Sequence, residues 1–401
     1  MSELSYLEKL LDGVEVEWLP LSGLARIRNG KDHKSLSEGE FPVYGSGGIM
    51  RYVDTYAYNK PSVLIPRKGS LGNLFFVNVP FWTVDTIFYT EIDEAQIRPK
   101  YLYYFLTTVG LGEMNQAGGV PSQTQSVLNK LKIPIPCPDN PEKSLAIQSE
   151  IVRILDTFSA LTAELTAELT AELNMRKKQY NYYRDQLLSF KDGEVEWKTL
   201  GDVTKKWYSG GTPTAGKIEY YENGNIPWLR TQEVKFSEID STEIKITQAA
   251  LKNSSAKWIP RNCVIIAISG ATAGRSAINK IPLTTNQHCG CLEIDDTKAL
   301  YRYVFHWVSF NYENIKSLGQ GARGDLNSTI IKNFKLPIPY ASDPQKSLKE
   351  QARIVEILDK FDTLTNSITE GLPREIELRQ KQYEYYRDLL FSFPKPDTVS
   401  N

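Results

Sequence analysis

The chain carries one long sequence pattern twice, and this duplication limits its possible folds more than any other feature. Residues 131–190 align without a gap with residues 334–393, and about half of the paired positions are identical over about 60 residues. Two shorter matching segments, residues 12–18 and 192–197, stand at the start of each half. The sequence of 401 residues therefore predicts two related halves, each with a head, a body and a tail.

The bodies, residues 20–130 and 199–333, resemble each other much less than the heads and tails do. Both contain short β-rich runs bounded by Gly, Pro and Asn, for example at Val63 and Val264, and both contain an aromatic-rich segment of helical pattern. The offset between the halves increases before Val264, which indicates an insertion of about two dozen residues in the second body. The bodies are predicted to be α/β domains.

The tails predict long amphipathic helices. Residues 144–190 contain neither glycine nor proline, and apolar residues recur at helical spacing, at positions 147, 151, 154, 155, 158, 161 and 165. At 1.5 Å per residue, a helix of about 45 residues measures about 65–70 Å. The second tail repeats this pattern but contains Gly371 and Pro373, which predict a break and a restart. Because each helix has an apolar stripe that must be buried, the two helices are expected to pack together.

The order of the repeated segments also relates the two ends of the chain. The first tail continues directly into the second head, whereas the second tail stops near Phe393 and the first head begins near Asp12. If the halves are structurally equivalent, the C-terminal end must lie near the N-terminal head. A pseudo-two-fold relation between the halves follows, and it suits the binding of two identical partners.

Composition excludes several classes of protein. Hydrophobic residues make up 41% and charged residues 24% of the chain, as in globular proteins, and the longest apolar runs are far shorter than the roughly 20 residues that span a bilayer. The N-terminal sequence lacks the basic and apolar regions of a secretory signal, so a cytoplasmic location is expected. Four cysteines are too few for a disulfide framework, and reduced thiols are expected.

Positive charge is concentrated in the bodies. The net charge of the chain is −1, but the formal charges amount to about +2 in the first body and about +4 in the second. Heads and tails together are therefore acidic. This distribution favours nucleic-acid binding by the bodies and protein contacts by the remainder.

Motifs of cofactor, nucleotide and zinc-protease sites are absent from the sequence. Cys263 and the segment His288-Cys289-Gly290-Cys291 suggest a metal site, but buried thiols explain them better, because the first body has Thr and Ile at matching positions. The segments 233–235 and 243–245 each have the E-x-K pattern of metal-dependent nucleases, which is also common on solvated surfaces. No metal ligand and no catalytic residue is predicted in this chain.

Polar side chains suited to DNA cluster in loops of both bodies. Residues 66–73 form a glycine-flanked basic loop after a strand, and residues 269–275 form the matching loop of the second body. Amide and guanidinium groups nearby are of the kind that reads adenine and guanine edges. The predicted DNA-binding residues are Arg67, Lys68, Ser70, Asn73, Gln123, Arg230, Gln232, Thr272, Arg275, Asn286, Gln287 and Arg323.

Several motifs together resemble the specificity subunit of type I restriction–modification systems, and the resemblance covers essentially the whole chain. The motifs are K-[IL]-P-I-P before each long helix, Gly-Gly-Thr-Pro at 210–213, Ile-Pro-Trp at 226–228 and Tyr-Gly-Ser-Gly-Gly at 44–48. Three tandem Thr-Ala-Glu-Leu units occupy residues 162–173, as in the subgroup called type IC.

The resemblance implies a non-catalytic DNA-binding subunit of α+β fold. It would have two globular α/β target-recognition domains, separated by two long antiparallel packed helices that form a coiled-coil spacer, with a pseudo-two-fold internal repeat. Each domain would read one half of a bipartite, asymmetric site in double-stranded DNA. The implied segments are a head at 1–19, domain 1 at 20–143, a central spacer at 144–198, domain 2 at 199–346 and a C-terminal spacer at 347–401.

The resemblance also implies partners. Two methyltransferase subunits would bind the helices, and motor and nuclease subunits would complete the restriction complex. S-adenosylmethionine, ATP and Mg²⁺ would then belong to those partners, and this chain would hold no cofactor. A freestanding bipartite DNA-binding or scaffold protein is the alternative.

The repeated tyrosine and arginine clusters of the tails are the predicted contacts with the methyltransferase subunits, because Tyr and Arg are enriched in interface hot spots. Packing between the two helices explains the same clusters equally well. The residues are Tyr182, Tyr183, Arg184, Tyr385, Tyr386 and Arg387.

The Thr-Ala-Glu-Leu units predict a ruler, with Thr162, Leu165, Leu169 and Leu173 as its repeating residues. Each unit in a continuous helix translates the downstream residues by about 6 Å and rotates them by a net 40° or so. Translation alone corresponds to nearly two base pairs of about 3.4 Å, whereas rotation corresponds to one base pair of about 35°. Rotation is expected to set the spacer length, because a domain rotated out of place no longer faces its DNA groove. A translation of a few ångströms is absorbed by slight bending of the DNA.

Deletion of one Thr-Ala-Glu-Leu unit is therefore expected to shorten the unread spacer between the half-sites by one base pair. Both half-site sequences should stay the same. Methylation mapping of DNA from a host that carries the deletion measures this. An unchanged spacer, or a changed half-site, would contradict the ruler.

Overall fold

The computed structural model describes residues 6–114, 120–191, 193–321, 324–367 and 370–394. Its contacts divide the chain into two compact units. The first unit contains Met1–Thr170 and Glu375–Asn401, and the second contains Ala171–Arg374. Each unit is a mixture of helices and β-sheets, as predicted.

The first unit begins with the head and the first body. Its elements are α1 (Tyr6–Leu11), β1 (Val16–Pro20), α2 (Leu21–Leu24), β2 (Ala25–Asn29), β3 (Phe41–Gly45), β4 (Gly48–Val53), β5 (Ser62–Pro66), β6 (Phe75–Val77), β7 (Trp82–Thr83), β8 (Ile87–Ile92), α3 (Pro99–Thr108), α4 (Gln125–Leu128), β9 (Lys132–Pro136) and the long helix α5 (Pro141–Leu187), which ends in the second unit.

Three sheets build the first unit. One has the strand order β2-β8-β5-β6, another has the order β4-β3-β7, and β1 pairs with β9. The strand β5 is buried along its whole length, in keeping with the four apolar residues that follow Ser62. Helix α3 packs its buried face, including Tyr101 and Leu102, into the same apolar core as Ile27, Val63 and Ile151.

The second unit repeats this plan with additions. Its remaining elements are β10 (Val195–Thr199), β11 (Thr204–Ser209), β12 (Ile226–Leu229), β13 (Glu238–Ile239), β14 (Ile244–Ile246), α6 (Gln248–Lys252), β15 (Val264–Ala267), β16 (Ser276–Asn279), β17 (Thr284–Thr285), β18 (Cys289–Ile294), α7 (Tyr301–Phe310), α8 (Tyr312–Ser317), α9 (Ser328–Asn333), β19 (Lys335–Pro339), α10 (Pro344–Asn366) and α11 (Leu372–Leu390), which continues into the first unit.

The sheets of the second unit match those of the first, and the difference locates the predicted insertion. The order β14-β12-β17 corresponds to β4-β3-β7, and β10 pairs with β19 as β1 pairs with β9. The largest sheet has the order β11-β18-β15-β16-β13, so it gains one strand. That strand, β13, and the short helix α6 lie before Val264, where the sequence predicts the insertion.

Equivalent hydrogen bonds tie each body to its tail. The hydroxyl of Tyr101 donates to the carbonyl of Pro134, and that of Tyr303 donates to the carbonyl of Pro337, both at 2.8 Å. In each unit a buried glutamine of the long helix, Gln148 or Gln351, accepts from the backbone N–H at the start of α3 or α7. These contacts confirm that the duplication is structural.

Helix α5 packs against the second tail in each unit, as predicted. The second tail consists of α10 and α11. In the first unit, Phe158 of α5 stacks on Tyr386 of α11 with ring centroids 5.4 Å apart and an interplanar angle of 11°. In the second, Tyr183 of α5 stacks on Phe361 of α10 at 5.5 Å and 25°. The predicted break is also present, since α10 ends at Asn366 and α11 begins at Leu372, and Gly371 before α11 has a φ of +82°.

The C-terminal segment of the chain returns to the N-terminal head within the first unit. The indole N–H of Trp18 donates to the carbonyl of Pro394 over 2.7 Å. The ring of Phe391 lies 5.4 Å from that of Tyr101 and 5.6 Å from that of Phe105. The predicted closeness of the C-terminal segment and the N-terminal head is therefore confirmed.

Candidate nucleic-acid interface

The basic loop of the first body lies at the end of β5 and is held from both sides by backbone hydrogen bonds. The N–H groups of Arg67 and Lys68 donate to the carbonyl of Thr86, at 2.8 and 3.2 Å. The N–H of Gly69 donates to the carbonyl of Pro121 over 2.8 Å, and Gly69 has a φ of +84°, in the left-handed region that favours glycine. The loop is thus a fixed structure that presents its side chains from a defined backbone.

Four predicted DNA-binding residues share this loop. The guanidinium of Arg67 lies over the ring of Phe88, 5.9 Å from its centroid, and Lys68 and Ser70 are exposed. The side-chain amide of Asn73 donates to the carbonyl of Ser46 over 3.2 Å. The Tyr-Gly-Ser-Gly-Gly motif and the basic loop are therefore neighbours, although the sequence separates them by about 20 residues.

Gln123 belongs to the same region but occupies the interior. Its side chain is 2% exposed, its amide Nε2 donates to the carbonyl of Pro66 over 2.5 Å, and its backbone N–H donates to the carbonyl of Arg67 over 3.0 Å. The structure gives this residue the role of supporting the loop from below. Sequence reasoning assigned it to DNA because it could not show which amides are buried.

The matching loop of the second body, residues 269–275, follows Ile268, which makes the same two backbone hydrogen bonds as Arg67. The N–H of Ile268 donates to the carbonyl of His288 over 2.9 Å, as that of Arg67 does to Thr86. The N–H of Leu326 donates to the carbonyl of Ile268 over 2.7 Å, as that of Gln123 does to Arg67. Thr272 and Arg275 lie half-buried in this loop.

The turn at residues 286–288, between β17 and β18, lies against this loop. Asn286 is 8% exposed, and its Oδ1 accepts from the backbone N–H of His288 over 3.0 Å. This amide therefore shapes the turn, whereas the side chain of Gln287 is exposed. The hydroxyl of Thr212 donates to Gln287 Oε1 over 2.7 Å, and Ser269 Oγ lies 2.6 Å from His288 Nδ1. Sequence reasoning did not single out His288, Thr212 or Ser269 for DNA binding.

Arg230 lies in a network of ion pairs beyond β12. Its Nη2 lies 2.5 Å from Glu243 Oε2, and Glu233 Oε2 accepts from the Arg230 backbone N–H over 3.1 Å. Both glutamates of the E-x-K segments are thus engaged with Arg230 and the backbone around it. Gln232 is exposed beside this network, and Arg323 lies outside the described residues.

The cysteines of the considered metal site are packed as apolar side chains. Cys263, Cys289 and Cys291 belong to one buried cluster. Burial raises the pKa of the thiols of Cys263 and Cys289 to about 12, so these thiols stay protonated at neutral pH. In the part of the chain that the structure describes, no group of three or more His, Cys, Asp or Glu side chains is placed to hold a metal ion.

The tyrosine and arginine clusters of the tails divide into packed and exposed members. Tyr183 and Tyr386 stack on the facing helices and are 45% and 37% exposed, whereas Tyr182 and Tyr385 are 61% and 65% exposed. Arg184 lies over the ring of Phe310 at 5.2 Å, and Arg387 pairs with the adjacent Asp388. Helix packing thus explains half of the tyrosines, and partner binding stays a prediction for the others.

The spacer residues Thr162, Leu165, Leu169 and Leu173 are half-buried within α5. No helix among the described residues is long and apolar enough to cross a membrane.

Comparison with known proteins decides the family. The family described as "Type I restriction modification DNA specificity domain" matches residues 14–175 and 193–378, most of both halves. The chain belongs to this family. The predicted resemblance is confirmed, and this specificity subunit is the DNA-recognising, non-catalytic component of a type I restriction–modification system.

Relatives of known function cover the whole specificity subunit. The EcoR124I/EcoR124II specificity subunit of Escherichia coli is 49% identical over 421 aligned residues, which cover 100% of both chains. The EcoprrI specificity subunit, also from Escherichia coli, is 37% identical over 400 residues, 92% of this chain and 93% of that one.

Solved structures share the fold of this specificity subunit. The type I restriction–modification S subunit from M. genitalium has a TM-score of 0.52 at 16% identity, over 96% of this chain and 98% of that one. A chain from work on complex assembly and conformational transition of the type I R-M system has a TM-score of 0.58 at 14% identity, over 94% and 97%. Likeness at such low identity establishes the fold and carries no residue roles.

Proposed function

We propose that this specificity subunit reads a bipartite, asymmetric DNA site, with one half-site read by each body. The observation that carries the proposal is that two loops which start from equivalent backbone hydrogen bonds present different side chains. Thr86 and His288 accept the same backbone hydrogen bond, but the segments that donate it contain Arg67 and Lys68 in one body and Ile268 and Ser269 in the other. Equivalent scaffolds with different chemistry are what two different half-sites require.

The proposed reading surface of the first body consists of Arg67, Lys68, Ser70 and Asn73, with Gln123 as its buried support. That of the second body consists of Gln232, Thr272, Arg275 and Gln287, with Asn286 shaping the turn and Arg230 within its ion-pair network. Cationic side chains supply contacts to phosphate, and amides supply contacts to base edges.

The proposed complex contains two methyltransferase subunits for each specificity subunit. Its support is the internal duplication, because the two tails offer similar surfaces to two identical partners. Tyr182 and Tyr385 occupy matching positions and are the more exposed tyrosines of their clusters. One of the similar solved structures comes from work on complex assembly of the type I R-M system. Adenine methylation with S-adenosylmethionine, and cleavage with ATP and Mg²⁺, would be performed by the methyltransferase and motor subunits.

Exchange of the first body tests the bipartite proposal. Replacement of residues 20–130 by the corresponding segment of a relative is expected to change one half-site and to leave the other half-site and the spacer unchanged. Methylation mapping of host DNA by long-read sequencing reads out all three. The reciprocal exchange of residues 199–333 is the matched control. A change in both half-sites after a single exchange would contradict modular reading.

The double variant Tyr182→Ala, Tyr385→Ala tests the proposed binding of methyltransferase subunits. Because exposed aromatic anchors contribute about 2 kcal/mol or more each in interface hot spots, affinity for the methyltransferase subunit is expected to fall at least about 30-fold. Isothermal titration calorimetry measures affinity and stoichiometry, and thermal unfolding checks the fold. The control Tyr183→Ala should lower the melting temperature, since this ring packs on Phe361. Unchanged affinity and stoichiometry in the double variant would show that these two tyrosines do not contribute to methyltransferase binding.

A further inference from the structure

We infer that Gln287 and His288 form the base-reading element of the second body, and that Thr212 and Ser269 are positioning residues that fix these two side chains. The inference rests on the proposed reading of one half-site by the second body, and it names the groups that read. It adds His288, Thr212 and Ser269 to the predicted DNA-binding residues.

The Gly-Gly-Thr-Pro motif brings Thr212 to Gln287. A Cβ at Gly210 would lie 1.8 Å from the backbone carbonyl oxygen of Thr285, so only glycine fits at this position. The N–H of Gly211 donates to the carbonyl of Thr285 over 2.9 Å. The motif therefore passes close to the end of β17, where the Thr212 hydroxyl reaches Gln287 Oε1 at 2.7 Å.

The loop at 269–275 reaches the same turn from another element. Ser269 Oγ lies 2.6 Å from His288 Nδ1, and the neighbouring N–H of Ile268 donates to the carbonyl of His288 over 2.9 Å. The Oδ1 of Asn286 accepts from the N–H of His288 over 3.0 Å. Two adjacent exposed side chains thus stand on a fixed backbone, and each is oriented by a hydroxyl from a different loop.

These contacts determine what the turn can offer to DNA. Because Gln287 Oε1 accepts from Thr212, the amide NH₂ of Gln287 is left to donate. His288 Nδ1 is engaged by Ser269, and among the described residues no partner is found for His288 Nε2. Orientation before binding removes part of the entropic cost of ordering these side chains on DNA. A donor in this position fits the acceptors of a purine, N7 of adenine or N7 and O6 of guanine.

The first body carries the opposite chemistry at the equivalent turn. Thr285 pairs with Leu229 in the second body as Thr83 pairs with Tyr44 in the first, so Asp85 and Thr86 occupy the positions of Gln287 and His288. Asp85 is exposed, and a carboxylate accepts from the N4 amino group of cytosine. The backbone is shared, while the side chains differ in hydrogen-bonding polarity. A turn that served folding alone would not need this difference, whereas two different half-sites do.

The variant Gln287→Glu tests the inference in the complex with the methyltransferase subunit. The substitution keeps the shape of the side chain and replaces the donor by an acceptor. Methyl transfer is measured on pools of duplexes randomised in the second half-site, and separately on pools randomised in the first. We expect preference to change by about tenfold or more at one or two base pairs of the second half-site, with the first half-site unchanged. Asp85→Asn, which replaces an acceptor by an amide that can donate, should change preference in the first half-site and leave the second unchanged.

Matched variants separate positioning from folding. Gln248→Glu makes the same chemical change at an exposed position of the second body and should leave both half-sites unchanged. Thr212→Val should reduce preference at the base pairs that Gln287→Glu changes, and Ser269→Ala at those that His288→Ala changes, by about threefold to tenfold. Thr212→Ser and Ser269→Thr retain the hydroxyl and should restore preference. Melting temperatures identify any variant that fails to fold.

Two outcomes would overturn the inference. One is an unchanged second half-site in Gln287→Glu, and the other is a uniform loss of binding across all sequences, which indicates a phosphate contact. If exchange of residues 199–333 still changes the sequence of the second half-site in either case, the second body reads that half-site but this turn does not. If that exchange also has no effect, the proposed function itself fails.

Discussion

The antiparallel pairing of each head strand with the strand before each long helix holds the two ends of a body together. Trp18 lies opposite Pro134 in one pair, and Trp197 lies opposite Pro337 in the other, in identical register. Each pair is a separate two-stranded sheet, so its prolines need not donate to a third strand. Because the pairing joins residues just outside the body, the sequence between them can vary without disturbing the scaffold.

This constraint explains why heads and tails are similar while the bodies differ. The tyrosine of α3 or α7 donates to the strand before the long helix in both units, and the glutamine of α5 or α10 binds the start of α3 or α7 in both. Another contact between the body and the long helix uses different side chains in the two units. Asp156 accepts from Lys100 and Tyr104, whereas Asp359 pairs with Arg302 and His306. Burial alone would raise the pKa of Asp359, but hydrogen bonds from His306 and Arg302 lower it overall, so the carboxylate stays charged.

Patterns over neighbouring residues predicted much of the fold. The long helices and the break at Gly371 follow from apolar periodicity and from the positions of glycine and proline. The internal repeat and the position of the insertion follow from comparison of the two halves. The contacts of the turn at residues 286–288 were harder to predict. Thr212 meets Gln287 across 75 residues of sequence, and nothing local to either residue indicates that contact. For the same reason Gln123 and Asn286 looked like surface amides, although the fold buries both and uses them to hold loops.

In the proposed function each body reads one half-site, and the two bodies hold their DNA-contacting side chains on equivalent backbones. The most direct measurement is the methylation map of a chain whose residues 20–130 are replaced by its own residues 199–333, expressed with the methyltransferase subunit. If the halves are related by pseudo-two-fold symmetry, this chain should methylate an inverted repeat of the second half-site. Methylation of the original asymmetric site, or of a direct repeat of the second half-site, would contradict the account.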